Sequence, residues 1–289
     1  MTFQSKNMNY IFNVEYFNGL NLVKSDDASE NKIVEKNNEI RSFDKWGKSP
    51  LEEWRNIPGY QEFALYTTYP GLLIGKGNPH EILTKGAIKI GFSFDYVNGL
   101  PFLPGSSLKG ILRSYFPGML TRMSADEKEN HISFLKCLVG DTIKDINKWE
   151  DSIFENGDIF LGAYPERQEA MMEMDYITSH KERFKNPIPV NIIKVKPNVK
   201  FVFSFVLKGT EEEVECKKKL FKELLLIGGI GAKTNVGFGR LSDKVSSNIV
   251  NREPKCKNCG APVGINPNTK KYNIYCSKCY RESKNGKKV

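Results

Sequence analysis

Histidine is nearly missing from this chain, with three among 289 residues, at positions 80, 131 and 180. Chemistry that relies on a histidine base or a histidine-rich metal centre therefore has few places to stand. No run of eighteen apolar residues occurs, so no segment reads as a membrane-spanning helix. The opening MTFQSKNMNYIFNVEYF lacks a basic start followed by an apolar block, so no secretory signal is expected and the expected compartment is the cytoplasm. No internal repeat with a solenoid period is visible. The body also lacks an excess of positive charge. Net charge is +9, but residues 251–289 carry ten Lys and Arg against Glu253 and Glu282, a net of +8. That leaves 33 basic and 32 acidic residues in 1–250, so any anion site in the body must be argued from local groups.

A hydrophobic fraction of 39% supports a real core, and 289 residues suit one elaborated domain or two ordinary ones. Residues 1–60 contain VKSDDASENKIVEKNNEIRS, a polar stretch that reads as a loop or a weak helix, followed by Trp46 and Trp54 as core anchors. GAIKIGFSFDYVNG (86–99) alternates Ile88, Ile90, Phe92, Phe94 and Tyr96, the pattern of a strand. LPGSSLKGILRSYF (103–116) follows as a helix with Leu108, Ile111, Leu112 and Tyr115 on one stripe and Ser106 or Ser107 as N-cap. Residues 124–149 read as helical, with Ser124 and Glu127 at capping-box spacing. NGDIFLGAYP (156–165) and EAMMEMDYIT (169–178) suit short strands, and 187–209 holds one or two more. Phe201, Phe203, Phe205 and Leu207 line one face there while Val202 and Val206 make the other apolar, as in a central strand. Thr210 and Glu213 form a second capping box, Val214, Phe221, Leu224 and Leu225 supply a buried stripe, and Gly228 and Gly229 stop that helix. A glycine-rich loop then enters a last strand. The order β-α-(insert)-β-β-α-β is the ferredoxin-like, or RRM-like, pattern. The expected architecture is an α+β domain over 1–250 with N-terminal and internal helical insertions, followed by a small tail over 251–289.

In the tail, Cys256, Cys259, Cys276 and Cys279 give C-x2-C-x16-C-x2-C. That spacing matches a four-thiolate zinc site, each C-x-x-C aiming two sulfurs at one point. Four thiolates leave no open position for chemistry, so the expected zinc is a single structural ion in a zinc-ribbon-like module. The tail has too few apolar residues for its own core, and metal would supply its folding energy. Lys255, Lys257, Lys270, Lys271, Lys278 and Arg281 interleave there with Tyr272, Tyr275 and Tyr280, a mixture of cations and rings that suits single-stranded nucleic acid.

Two stretches of the body carry candidate phosphate contacts. In GGIGAKTNVGFGR, Gly229, Gly231, Gly237 and Gly239 permit close backbone approach, Lys233 and Arg240 add charge, and Thr234 and Asn235 add hydrogen bonds. A P-loop is excluded, because Ala232 stands before Lys233 and the loop runs from helix to strand. Phe238 is a ring that stacks on a base or packs. In the 103–116 helix, Gly110 interrupts a good helical pattern at a cost of about 1 kcal/mol. Lys109 and Arg113 flank it one turn apart, and the entrance Gly105, Ser106 and Ser107 leaves amides free for an anion.

These residues resemble a known family. GLPFLPGSSLKGILRSYF is similar to the helix signature of the RAMP superfamily of CRISPR systems, and GIGAKTNVGFGRL to its C-terminal glycine-rich loop. GKGNPHEILTKG, FLGAYP and DYITSHKERFKNPIPVNIIKVKPNVKFVF narrow the resemblance to the sixth-subunit family of the Cmr complex, the type III-B RNA-guided effector. The resemblance covers about residues 71–245. It implies a ferredoxin-like core, a place near the end of a helical filament, and contact with guide RNA and target RNA towards the 3′ end of the guide. The implied protein partners are the backbone and end-capping RAMP subunits. Target cutting belongs to the backbone subunits, so the implied role is not catalytic. Gly162 stands where the family's F-x-D-A-Y-P pattern has an acidic residue, and the zinc tail lies outside the pattern. Alternatives from the same residues are the terminal RAMP subunit of a type III-A complex, a metal-independent endoribonuclease that processes guide RNA with His180 as base, and a purely protein-binding subunit.

Overall fold

A computed structural model describes residues 3–75, 77, 79–120, 124–139, 145–155, 157–166, 169–178 and 189–245. Seven α-helices and seven strands are assigned among them: α1 (Met8–Asn13), α2 (Asp27–Arg41), α3 (Leu51–Trp54), β1 (Tyr60–Thr67), β2 (Leu103–Pro104), α4 (Gly105–Arg113), α5 (Ala125–Val139), α6 (Ile146–Phe154), β3 (Ile159–Pro165), β4 (Met172–Thr178), β5 (Pro189–Val195), β6 (Lys200–Val206), α7 (Glu211–Gly228) and β7 (Leu241–Ser242).

The main sheet runs β2-β3-β6-β1-β7, and every pairing in it is antiparallel. β6 is its centre, paired with β1 from Tyr60↔Val206 to Tyr66↔Lys200 and with β3 on the other side. Phe201, Phe203 and Phe205 are fully buried on one face of β6, while Val202 and Val206 are buried on the other. The phenylalanine face meets the helices: Phe205 packs on Phe221 of α7 at 5.3 Å and on Phe160 of β3 at 5.7 Å, and Phe63 of β1 stacks on Phe203 and Phe205. On the opposite face Tyr164 takes the rings of Trp54 and Phe102. β4 and β5 form a separate two-stranded hairpin, held to the rest by paired backbone hydrogen bonds between Leu72 and Val195.

α5 and α7 begin where the sequence places their caps, while the helical reading over 124–149 divides between α5 and α6, the latter capped by Asp145. Thr210 and Glu213 make both bonds of a capping box on α7, and Gly229, at φ +73°, terminates it. Ser124 and Glu127 exchange the same pair of bonds at α5. α4 departs from expectation. It starts at Gly105, its N-cap is Pro104, no side chain caps it, and Ser106 and Ser107 sit exposed inside its first turn. The strand-to-helix corner sets this start. A Cβ on Gly105 would collide with the Phe160 carbonyl of β3, so the chain must turn there. α7 is also anchored by a buried ion pair, Lys217 Nζ to Asp158 at 2.7 Å, with Lys208 supplying both a carbonyl and an amide to the pair.

One strand expectation is corrected and one open reading is resolved. The strand expected over 86–99 is not formed. Its backbone bonds are scattered, with Ser93 N–H donating to the Ile74 carbonyl and Lys89 N–H to the Asn191 carbonyl. Ile88, Phe92 and Phe94 are buried nonetheless, so the alternating pattern reports burial of one side of an irregular segment. The strand that opens the sheet is β1, earlier in the chain. The polar 23–42 stretch is a fifteen-residue helix, α2, capped by Asp26, whose carboxylate accepts from Ser29 N–H at 2.8 Å. That bond also holds the Asp26 carboxyl below the usual range.

α1 and α2 close over a ring cluster around His80. The imidazole lies 4.3 Å from Phe12, 4.7 Å from Phe17 and 5.1 Å from Tyr16, and its Nδ1 donates to the Ile88 carbonyl at 2.8 Å. Tyr16 Oη accepts from Ile88 N–H and donates to Asn37 of α2. Burial pushes the His80 pKa down, so the folded protein holds it neutral. The unfolded chain takes up a proton there below about pH 6.5, which makes the contribution complete above that value and lost as pH falls through it. The urea midpoint of the wild type is expected to fall between pH 7.5 and pH 5.5. That of His80→Gln, lower at pH 7.5, should fall less over the same range.

Candidate nucleic-acid interface

The residues singled out in the sequence occupy two places. α4 lies against β3, with Leu108 and Leu112 buried and Ile111 and Tyr115 half-buried. Gly110 faces outward, and a Cβ there would meet no atom within 4 Å. No packing in the fold accounts for this glycine. Lys109 and Arg113 are engaged by the end of α6. Lys109 Nζ donates to the Phe154 carbonyl at 2.5 Å. Arg113 pairs with Glu155 at 2.6 Å and sits over the Phe154 ring. A cation at a helix C-terminus is favourable, and these two serve that end first.

The glycine-rich loop, 229–240, crosses the segment that leaves β1. Ile230 N–H donates to Gly239 O, Gly239 N–H to Gly71 O, and Ala232 N–H to Leu73 O, all at 2.8–2.9 Å. Thr68 bonds the Arg240 carbonyl through both its amide and its hydroxyl. The glycines are explained by this crossing. A Cβ on Gly239 would overlap the Ile230 carbonyl, one on Gly231 the Leu73 carbonyl, and one on Gly229 the Gly239 carbonyl. Gly229, Gly231, Gly237 and Gly239 all have φ between +70° and +99°. Close backbone contact therefore accounts for Gly229, Gly231 and Gly239 within the fold itself. Phe238 is buried under Lys194, so it packs and does not stack on a base.

What the crossing leaves outside is the short turn of Lys233, Thr234, Asn235 and Val236, with Arg240 beside it. Lys233 holds a left-handed backbone at φ +59°, one of two such non-glycine residues among those described. Lys233, Asn235 and Arg240 are exposed, and Thr234 is partly so. Arg240 Nη1 donates to the Ile227 carbonyl at the end of α7, which steadies the guanidinium while leaving it open to water. α4 reaches this region by its C-terminal end only. Tyr115 sits against Gly228, and burial raises its pKa while the Arg240 charge opposes the rise. The entrance at Gly105, Ser106 and Ser107 lies at the other end of a helix about 13 Å long.

Gly162 has φ +113°, and a Cβ there would overlap the Leu103 carbonyl where β2 crosses β3. No acidic side chain fits that backbone. His131 bonds the Tyr115 carbonyl at 2.6 Å from α5. His180, Cys256, Cys259, Cys276 and Cys279 lie outside the described residues. Among the described residues no group of three or more His, Cys, Asp or Glu forms a metal cluster. No helix there is long and apolar enough to cross a membrane. One exposed group was not singled out in the sequence. Tyr69, in TTYPGLL, is 79% exposed and follows Thr68, which bonds the glycine loop. A tyrosine after a strand and before a proline carries no signal that separates surface from core.

The RAMP superfamily model matches residues 64–242, which runs from β1 to β7. The chain belongs to the RAMP superfamily. A curated relative, the CRISPR system CMR subunit Cmr6 of Saccharolobus solfataricus, is 28% identical over 183 residues, 60% of this chain and 54% of the relative. The chain thus spans about half the length of that relative. Among solved structures, the type III-B Cmr-beta complex bound to cognate target RNA contains a chain 27% identical, with TM-score 0.42, covering 64% of this chain and 58% of the other. Cmr6 from Pyrococcus furiosus is 19% identical with TM-score 0.43, covering 65% of this chain and all of the other. The curated relative bears the subunit name of the family that the motifs resemble.

The two kinds of glycine separate in a melt. Gly110→Ala is expected to raise stability by up to about 1 kcal/mol, because it improves a helix and meets nothing. Gly239→Ala should lower it by more than about 1 kcal/mol, since both the left-handed backbone and the Ile230 carbonyl oppose a side chain. Thermal unfolding of the two variants beside the wild type measures this contrast.

Proposed function

We propose that this chain is the sixth Cmr subunit of a type III-B CRISPR effector, a non-catalytic RNA-binding and assembly protein at the end of the filament. In this reading it works in the cytoplasm, contacts guide and target RNA near the 3′ end of the guide, and adjoins the backbone and end-capping RAMP subunits. The observation that carries it is the exposed turn at 233–236 with Arg240 beside it. Two cations, an amide and a hydroxyl stand on a backbone crossing that cannot yield. Phosphate recognition needs donors of this type, and a body with almost no net charge must concentrate them locally. The strand order of the sheet, with α4 between β1 and β3 and α7 following β6, supports a ferredoxin-like core with inserted helices. In this reading the domain ends near residue 250.

Gly110 joins the interface as a bare helical position with open space above it, reached by backbone-to-strand approach. Lys109 and Arg113 contribute by releasing the α6 end or by the field they add beside it. The reading gives no residue the part of a general base. His80 is neutral and enclosed by rings, and His131 is spent on a backbone carbonyl. The tail, by its C-x2-C-x16-C-x2-C spacing, is assigned one structural zinc on Cys256, Cys259, Cys276 and Cys279, with the surrounding cations and tyrosines towards RNA or a neighbouring subunit.

Replacing Lys233 and Arg240 together by Ala is expected to weaken binding to single-stranded RNA and to flatten its salt dependence. Two lost phosphate contacts correspond to about 1.4 in the slope of log K against log salt. Fluorescence anisotropy from 50 to 300 mM salt would read both, and an unchanged slope would count against the site. Zinc analysis of the full chain should return one ion, lost when Cys256 and Cys259 are both changed to Ser. An equal metal content in wild type and variant would remove the zinc assignment.

A further inference from the structure

We propose that Tyr69 is a base-stacking platform, so that the loop beside it reads an unpaired nucleobase as well as phosphate. The inference rests on the RNA-binding reading above and adds to it a chemical class of ligand. Tyr69 is 79% exposed and does not stand alone, since Val236, 63% exposed, and Ile227 add apolar surface around the same loop. The cations Lys233 and Arg240 belong to that loop. A ring with cations at its side is the combination that holds single-stranded nucleic acid, because every base offers a π-face while phosphates take the charge.

The backbone under the ring is held from both sides. Thr68 bonds the Arg240 carbonyl twice, and Gly71 accepts from Gly239 N–H. A base arriving here would meet a ring whose main chain is already ordered, so little conformational freedom is lost on contact. Other exposed rings are placed differently. Tyr96 stands on a turn tied by Asp95 and Asn7, an acidic and a neutral group, which offers a phosphate nothing. Phe238, the ring inside the glycine-rich motif, is buried.

The test uses the full chain and two fluorescein-labelled 20-nucleotide probes, one single-stranded RNA of mixed sequence and one abasic strand of the same length. Wild type should bind the RNA tighter than the abasic strand. Tyr69→Ala should lose about 10-fold in RNA affinity, lose the preference over the abasic strand, and keep the salt slope. Tyr69→Phe should behave as wild type, and equal melting temperatures would confirm that all variants fold. RNA affinity of Tyr69→Ala within twofold of wild type, while Lys233→Ala with Arg240→Ala still binds weakly, would overturn the stacking role and leave the electrostatic reading in place. Failure of the wild type to bind either strand would overturn both.

Discussion

The passage of the 229–240 loop across residues 68–73 is the constraint on which the rest of the interface depends. Three backbone bonds are made where the two segments touch, and side chains are excluded at Gly229, Gly231 and Gly239 because carbonyls occupy the space. The crossing ends α7, delivers Leu241 to the edge of β1, and turns Lys233 to Asn235 outward. A loop made of such contacts has few other conformations, so its exposed donors are ordered before any ligand arrives. Lys233 accepts a left-handed backbone as part of that arrangement, a local cost met by the surrounding bonds.

Electrostatics then separates the two cation pairs. Lys109 and Arg113 close the C-terminal end of α6, one through a carbonyl and the other through Glu155. Their charge is partly answered within the fold. Arg240 is only steadied, by the neutral Ile227 carbonyl, and so keeps its charge for a partner. In a body holding 33 basic and 32 acidic residues, this difference in partners sets the local charge at each place. The highly charged tail adds a second field of its own along the chain.

Much of the scaffold was legible from residue pattern. The capping boxes at Ser124 and Thr210, the stop at Gly229 and the two-sided burial of β6 all depend on near neighbours in sequence, and each formed as expected. The first strand was misplaced because alternation at Ile88, Phe92 and Phe94 reports one buried side and cannot tell a paired strand from an irregular segment packed under α1 and α2. The Ser caps of α4 failed because a collision with β3, forty residues and more downstream, sets the helix start. The 23–42 stretch read as a loop or a weak helix, and the helix forms because Asp26 caps it and Ile33 and Ile40 bury its narrow apolar edge.

By itself the sequence determined the helices that begin at Ser124 and Thr210, which strand is central, and which glycines and cations cluster near 110 and 235, because these follow from spacing along the chain. Its motifs also pointed to the RAMP superfamily. Tertiary structure alone decided which of those cations are free and why the glycines are there. Lys109 and Arg113 meet α6, Gly239 meets Ile230, and Tyr69 stands outside beside the loop. Each of these outcomes depends on a contact between segments remote in sequence, and no local spacing encodes the distance between them.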